Sequence, residues 1–328
     1  MNKLINKRNY SYYLALVGIV GLAVYPYAGA TSYMLHLFIL FFIWAVVAVY
    51  WNLLLGYYGI FSLGNIAFMA IGGYTSAILS KTYDLSPLVT IFIGGVVACI
   101  LVTLFLGLPA LRLSGIYIAL LSLVFALTIP SVLTLTREFS GGGVGLHGIP
   151  GFLPGIERFQ IYYYCMGFFL FAMFVNHRII KSKSGLAFVA LRDSEDFAST
   201  LGISRYYEKL KVFAISSFVT GMAGGFYVHS QGDITPALLG IEPFLLALAM
   251  IELGGVGTFL GPIIGSAAIV FGNEFLRLAG TLRLALLGGL ICFIILFYPG
   301  GLMQLFSKIG ELLVKIKEKL YNSNKTGL

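Results

Sequence analysis

The chain has 328 residues, 59% hydrophobic and only 10% charged, with a net charge of +8 and a mean hydropathy of +0.94. A soluble domain is about a quarter charged, so this composition excludes a soluble enzyme or binding module and describes an integral membrane protein. No basic stripe sits on a soluble domain, so the positive charge is no sign of nucleic-acid binding.

A helix needs about 20 apolar residues to cross the hydrocarbon core, and ten runs approach that length: 12–30, 34–55, 61–80, 86–107, 113–135, 159–179, 211–230, 239–254, 260–278 and 284–304. The expected fold is all-α and polytopic, with about ten transmembrane helices between residues 11 and 304. Runs such as Leu35–Val49 are apolar on consecutive residues, whereas a barrel strand would alternate. The first run follows Lys3, Lys7 and Arg8. It is too long for the apolar region of a signal peptide and is followed at once by another span, so it reads as an uncleaved first helix. Cys99, Cys165 and Cys292 all fall inside apolar runs and read as small apolar fillers.

Between the second and third runs, Gly56-Tyr57-Tyr58-Gly59-Ile60-Phe61-Ser62-Leu63-Gly64-Asn65 concentrates glycine, Ser62 and Asn65. Gly254-Gly255-Val256-Gly257-Thr258-Phe259-Leu260-Gly261-Pro262 repeats the pattern between the eighth and ninth. Irregular backbone at membrane depth must be buried in protein or face a watery cavity, because unpaired amides in lipid cost several kcal/mol. Interrupted segments therefore point to a translocation path, with close helix packing through small residues as the competing explanation. The candidate path residues are Ser62, Gly64, Asn65, Gly254, Gly255, Gly257 and Thr258. Other polar groups inside runs are Asn52, Glu252 and Glu274, the last within one turn of Arg277.

The outer interval 136–158 contains Ser140–Pro150, too rich in glycine for a regular helix, and reads either as a flexible connector or as a tight loop lining an entrance. The interval 178–211 is a polar island holding eleven charged residues. In it, 185–200 reads as one short helix, followed by a break at Leu201-Gly202-Ile203-Ser204. The tail 305–328 spaces Leu305, Ile309, Leu312, Leu313, Ile316 and Leu320 between lysines, a pattern that would lie along the inner leaflet. With residues 1–10 inside, the inner segments carry 16 of the 21 Lys and Arg. The positive-inside rule then puts both termini and the island in the cytoplasm.

No catalytic set is present. His36, His147, His177 and His229 lack metal-ligand spacing, and no GxxxxGK[ST] phosphate loop exists. If transport consumes ATP, the ATPase is another polypeptide, and the island is the internal element large enough to dock it. A secondary transporter would show two similar halves and buried ion-coupling groups, and a channel would show a filter or polar pore lining; the sequence displays neither. A membrane enzyme would need acid, base or metal residues clustered at one depth.

In order along residues 45–305, Gly56–Tyr74, Leu111-Arg112-Leu113-Ser114-Gly115-Ile116-Tyr117, Ser140–Pro150, Arg192–Gly202 and Leu253–Gly265 resemble the LivM-type permease subunits of branched-chain amino acid ABC importers. The resemblance implies the fold of an ABC importer permease in a bacterial cytoplasmic membrane. It implies as partners a LivH-type permease, two cytoplasmic ATP-binding subunits carrying ATP and Mg, and an external solute-binding protein; this chain itself would bind no cofactor. Arg192, Glu195, Ala198, Leu201 and Gly202 would then lie in the ATPase-coupling loop. The chain departs from the family pattern at Asp196, Phe197, Ser199 and Thr200. It has Ile60-Phe61-Ser62-Leu63-Gly64-Asn65 where the family has Gln-Leu-Ser-Leu-Gly-His, and Gly141–Leu146 where Gly-Gly-Ser-Asp-Gly-Leu is usual. The implied substrate is a branched-chain or other neutral amino acid, with urea or a short amide as the alternative.

Overall fold

A computed structural model describes residues 18–282, except Ala30 and Pro154, and part of the stretch 285–304. The N-terminal segment 1–10 and the expected interfacial tail 305–328 lie outside the described residues, as do parts of the first and tenth runs.

The described chain is mostly helical. A short apolar helix, Gly18–Tyr27, precedes α1 (Ser32–Asn52), which continues into a π-helical turn, Leu53–Tyr58. There follow α2 (Asn65–Tyr83), α3 (Pro87–Val102, extended through a second π-helical turn, Thr103–Gly107, to Ala110), α4 (Ile116–Leu135) and α5 (Arg158–Ile180). The island forms α6 (Lys183–Asp193) and α7 (Glu195–Thr200), and leads into α8 (Arg205–Gln231). The last described pair is α9 (Ile241–Gly254) and α10 (Gly261–Phe275). One antiparallel pair, β1 (Leu146–His147) on β2 (Asp233–Ile234), departs from the all-helical expectation.

Five of these helices are long and apolar enough to cross a membrane: Ser32–Tyr58, Pro87–Ala110, Ile116–Leu135, Arg158–Ile180 and Arg205–Gln231. The other expected spans are modified. The third begins at Asn65 rather than 61, because Gly59–Gly64 is non-helical, and its apolar character is diluted by Gly72, Gly73, Ser76 and Lys81. The eighth and ninth are helices of 14 and 15 residues, each about 22 Å long at 1.5 Å per residue, short of the roughly 30 Å core. The single helix expected over 185–200 is two, broken at Ser194, whose extended backbone and side chain cap α7 through the Phe197 N–H.

α1 is apolar on every side and is the central helix, consistent with a helix hydrophobic all round being buried. Tyr50, Trp51, Phe42 and Ile43 are fully enclosed. Side-chain bonds to main chain tie it to its neighbours: Tyr50 Oη donates to Ala172 O at 2.9 Å, and Ser216 Oγ donates to Tyr50 O at 2.8 Å. α8 packs on α2 and α3 through glycine. A Cβ at Gly72 would strike the Gly221 carbonyl, and one at Gly224 would strike the Met69 carbonyl. Here the small residues of the third and seventh runs are packing devices, bringing backbones together as in other membrane bundles. The apolar outer faces of α3 and α4, including Phe92, Phe105, Leu120 and Leu127, are exposed.

Candidate functional site at the island end

The helix ends sort into two groups. Tyr58, Asn65, Ala110, Ile116, Ile180, Arg205, Gly254 and Gly261 lie at the end shared with α6 and α7, and the opposite ends gather around the β1–β2 pair. At the island end the two glycine breaks meet. Asn52, in the last turn of α1, donates from Nδ2 to Thr258 O at 2.9 Å and accepts at Oδ1 from the Gly257 N–H at 2.8 Å. Gly56, one turn on, packs so closely that a Cβ there would strike both Asn52 Oδ1 and the Gly257 nitrogen. The π-helical turn that carries Gly56 widens α1 where the hairpin between α9 and α10 approaches; such turns recur at functional sites.

Arg192, near the end of α6, enters this junction. Its Nη1 donates to Gly56 O at 2.7 Å, its Nε and Nη2 bond Asp193 Oδ1 at 3.0 and 2.9 Å, and its side chain lies across Gly59, where an added Cβ would sit 2.7 Å from Arg192 Cγ. Gly59 has φ of +82°, a left-handed conformation that glycine adopts without a Cβ penalty. One island side chain thus touches the first glycine break, which in turn touches the second.

The loop after Gly59 is irregular, and side chains hold much of its backbone. Trp51 Nε1 donates to Ser62 O at 2.7 Å, and the Leu63 N–H donates to Ser122 Oγ at 2.8 Å. Ser62 Oγ accepts from the Gly64 N–H, and Thr258 Oγ1 donates to Gly255 O while accepting from the Gly261 N–H. In this conformation both hydroxyls singled out for a solute hold their own loops. Asn65 is wholly buried at the start of α2, with neither side-chain polar atom hydrogen-bonded. The structure brings Gly257 against Gly56 and Thr258 to Asn52, while Gly254 packs on Gly261 and Gly255 on Gly300; in the first break, Gly64 meets Phe68 of α2 and the Ser122 carbonyl of α4.

A cavity of about 330 Å³ lies beside the junction. Gly59–Phe61, Ser114–Gly115 and Arg192–Glu195 line it, so segments of three of the motifs noted in the sequence share one space. Lys209 closes it, buried, donating to Ala110 O and Leu113 O at 3.3 and 3.5 Å.

The expected coupling residues divide by face. Arg192 points inward and Ala198 is buried, whereas Leu201 is 64% exposed and Glu195 faces Arg205 at 3.5 Å. Gly202 has φ of +80° and turns the chain into α8, which Ser204 caps. Phe197, one of the departures from the family pattern, is 65% exposed beside Leu201. Asn52 and Gly56 were visible in the sequence as a buried polar group and one glycine among several; nothing in the sequence paired them with Gly257.

The family model described as "Branched-chain amino acid transport system / permease component" matches residues 33–296. The chain belongs to this family of transport permease components. It is 29% identical over 290 residues to the high-affinity branched-chain amino acid transport system permease protein LivM of Escherichia coli K12, covering 80% of this chain and 68% of that one; the Salmonella typhimurium LivM matches to the same extent. A probable branched-chain amino acid transport permease protein LivM of Methanocaldococcus jannaschii is 23% identical over 253 residues, covering 74% and 72%. No solved structure matches. The expected resemblance is thereby shown. The family comprises transport components rather than enzymes, in keeping with the apolar helices described above.

At the opposite end, the glycine-rich loop is fastened rather than loose. Leu146 pairs with Ile234, Lys81 Nζ donates to His147 O at 2.9 Å, and His229 Nδ1 donates to Pro150 O at 2.7 Å. His229 Nε2 faces Ser76 Oγ and Thr90 Oγ1 at 2.9 and 3.2 Å, so this histidine joins the loop to α2 and α3.

Proposed function

We propose that the chain is a permease subunit of an ATP-driven importer, carrying branched-chain or other neutral amino acids handed over by an external solute-binding protein. Its partners are a second, LivH-type permease and two ATP-binding subunits that hold ATP and Mg, docked at α6 and α7. The island end faces the cytoplasm, and both termini lie on that side of a bacterial inner membrane.

The observation that carries this reading is the two-faced island. One face exposes Phe197 and Leu201, and the other drives Arg192 into the junction of the two glycine breaks. A force applied to α7 from outside has a short route, through Arg192 and Gly56, to the hairpin that joins α9 and α10. The glycine breaks border the path, and their movement opens it.

The complete complex, purified in mild detergent and reconstituted in liposomes with its binding protein, tests the reading. It is expected to contain a second permease and two ATPase subunits and to accumulate leucine only with ATP. Accumulation of urea instead of leucine, or uptake by this chain without ATPase subunits, would overturn it.

A further inference from the structure

α5 and α8 lie on either side of α1 and leave a groove between them. Tyr50 of α1 is bonded to both, through Ala172 O on α5 and Ser216 Oγ on α8, and forms the floor. The groove runs from Ile179 to Phe168 on α5 and from Ala214 to Met222 on α8, with a volume of about 360 Å³. No charged side chain is among the described residues that line it. Phe171, on its outer edge, is 59% exposed.

The groove is one leaflet deep. Phe168 and Ile179 are 11 positions apart, about 16 Å at 1.5 Å per residue, which is half of the roughly 30 Å hydrocarbon core. At that depth Phe168 stacks on Phe226 with ring centroids 4.2 Å apart. Beyond them Phe152 fills the space between Phe226 and Tyr164, its ring 5.5 and 5.0 Å from theirs. A partner's transmembrane helix would need an open face across the whole core, whereas a lipid chain occupies one leaflet.

The other end of the groove lies at the island, and cations gather there. Lys211 sits one turn before Ala214 and Ile215 on the same face of α8, its Nζ donating to Ser184 Oγ at 2.8 Å and Glu208 Oε1 at 2.7 Å. Arg178 and Lys181 stand at the end of α5 and Lys183 begins α6. These three are exposed, and none of them forms an ion pair among the described residues. Four cations therefore stand against one carboxylate, Glu208.

From the leaflet-deep apolar groove and the cations at its island end, we propose that α5 and α8 hold one acyl chain of an anionic phospholipid. Its phosphate sits among Arg178, Lys181, Lys183 and Lys211. Basic pockets between membrane helices select anionic head groups in this way, and a zwitterionic lipid gains less because its own cation offsets its phosphate. The lipid spans the seam where the island joins the bundle. This inference is independent of which solute the permease carries.

The test reconstitutes the complete complex in vesicles of phosphatidylcholine and phosphatidylglycerol, with a photoactivatable diazirine at the chain end of one lipid or the other. Crosslinked peptides are read by mass spectrometry, with the exposed outer face of α4 as the control surface. The phosphatidylglycerol probe is expected to label the groove between Phe168 and Met222 at least fivefold more than the phosphatidylcholine probe, and α4 equally with both. Arg178→Gln and Lys181→Gln, which break no ion pair, are each expected to lower groove labelling about fivefold, the scale of one cation near an anionic surface. Ala214→Trp, which fills the groove, is expected to abolish it, with α4 labelling and elution volume confirming assembly. Equal groove labelling by the two probes, or labelling unchanged in the Gln variants, would overturn the site. A groove that neither probe reaches while α4 labels normally would also overturn it, and would give this face to a neighbouring subunit.

Discussion

Arg192 Nη1 donates to the carbonyl of Gly56 at 2.7 Å, across 136 positions of sequence, and joins the polar island to the core of the bundle. Gly56 in turn leaves no space between α1 and Gly257. Three segments that are remote in the chain therefore move, if they move, as one junction.

Removing the guanidinium tests that junction. Hydrogen bonds to charged groups are worth about 1.5–3 kcal/mol, so Arg192→Gln should lower leucine transported per ATP hydrolysed by tenfold or more. Hydrolysis itself should fall less, because the outer face of α7 is untouched. The ratio, measured in proteoliposomes, counts against the relay if it is unchanged.

Asn52 has a structural role that can be dissected. Asn52→Ala leaves the Gly257 N–H and the Thr258 carbonyl unpaired, a loss of about 1–3 kcal/mol per buried group. Asn52→Asp retains the acceptor for Gly257 and loses the donor to Thr258. Thermal unfolding midpoints in detergent should fall in the order wild type, Asn52→Asp, Asn52→Ala. An unshifted Asn52→Ala would mean that the two glycine breaks are held by other contacts.

Phe197 of α7 and Leu201, which caps its end, form an exposed apolar pair. Replacing both with serine should at least halve the ATPase subunits recovered with the permease while leaving helix content, read by circular dichroism, unaltered. Gly202→Val should act differently. A β-branched residue at φ of +80° costs on the order of 1–3 kcal/mol, which is expected to misplace the turn and uncouple hydrolysis from uptake in an assembled complex. Full recovery of subunits with the double serine variant would remove this face as the docking surface.

Asn65 is buried with two unpaired polar atoms, and Ser62 is 1% exposed. If the glycine breaks border the path, single cysteines at 62 and 65 in a cysteine-free background should resist a small polar thiol reagent at rest and label during ATP turnover. Persistent inertness in both conditions, with outer-loop controls labelling normally, would make these breaks packing devices.

Membrane class, the long apolar runs, the polar island and the position of each glycine break were legible in the chain, because they are properties of consecutive residues. Apolar content over about 20 residues decides partition into the bilayer, and clustered glycine weakens regular helix locally. The order of motifs was equally readable, and with it the family. The short length of α10 was not, because Leu276–Leu282 is as apolar as the helix it follows and leaves it through a 3-10 turn and a kink at Gly280. Nor could the sequence tell that Arg192, at the heart of the island, reaches the Gly56 carbonyl of the bundle. A helix side chain's direction is set by what its face meets, and α6 meets Gly56 and Gly59 only once the bundle has closed. The union of Asn52 with Gly257, 205 positions later, has the same origin. Each residue is a polar or small group tolerable in many surroundings, and only packing, which leaves no room for a Cβ at Gly56 and sets the Gly257 amide on Asn52 Oδ1, makes them a pair.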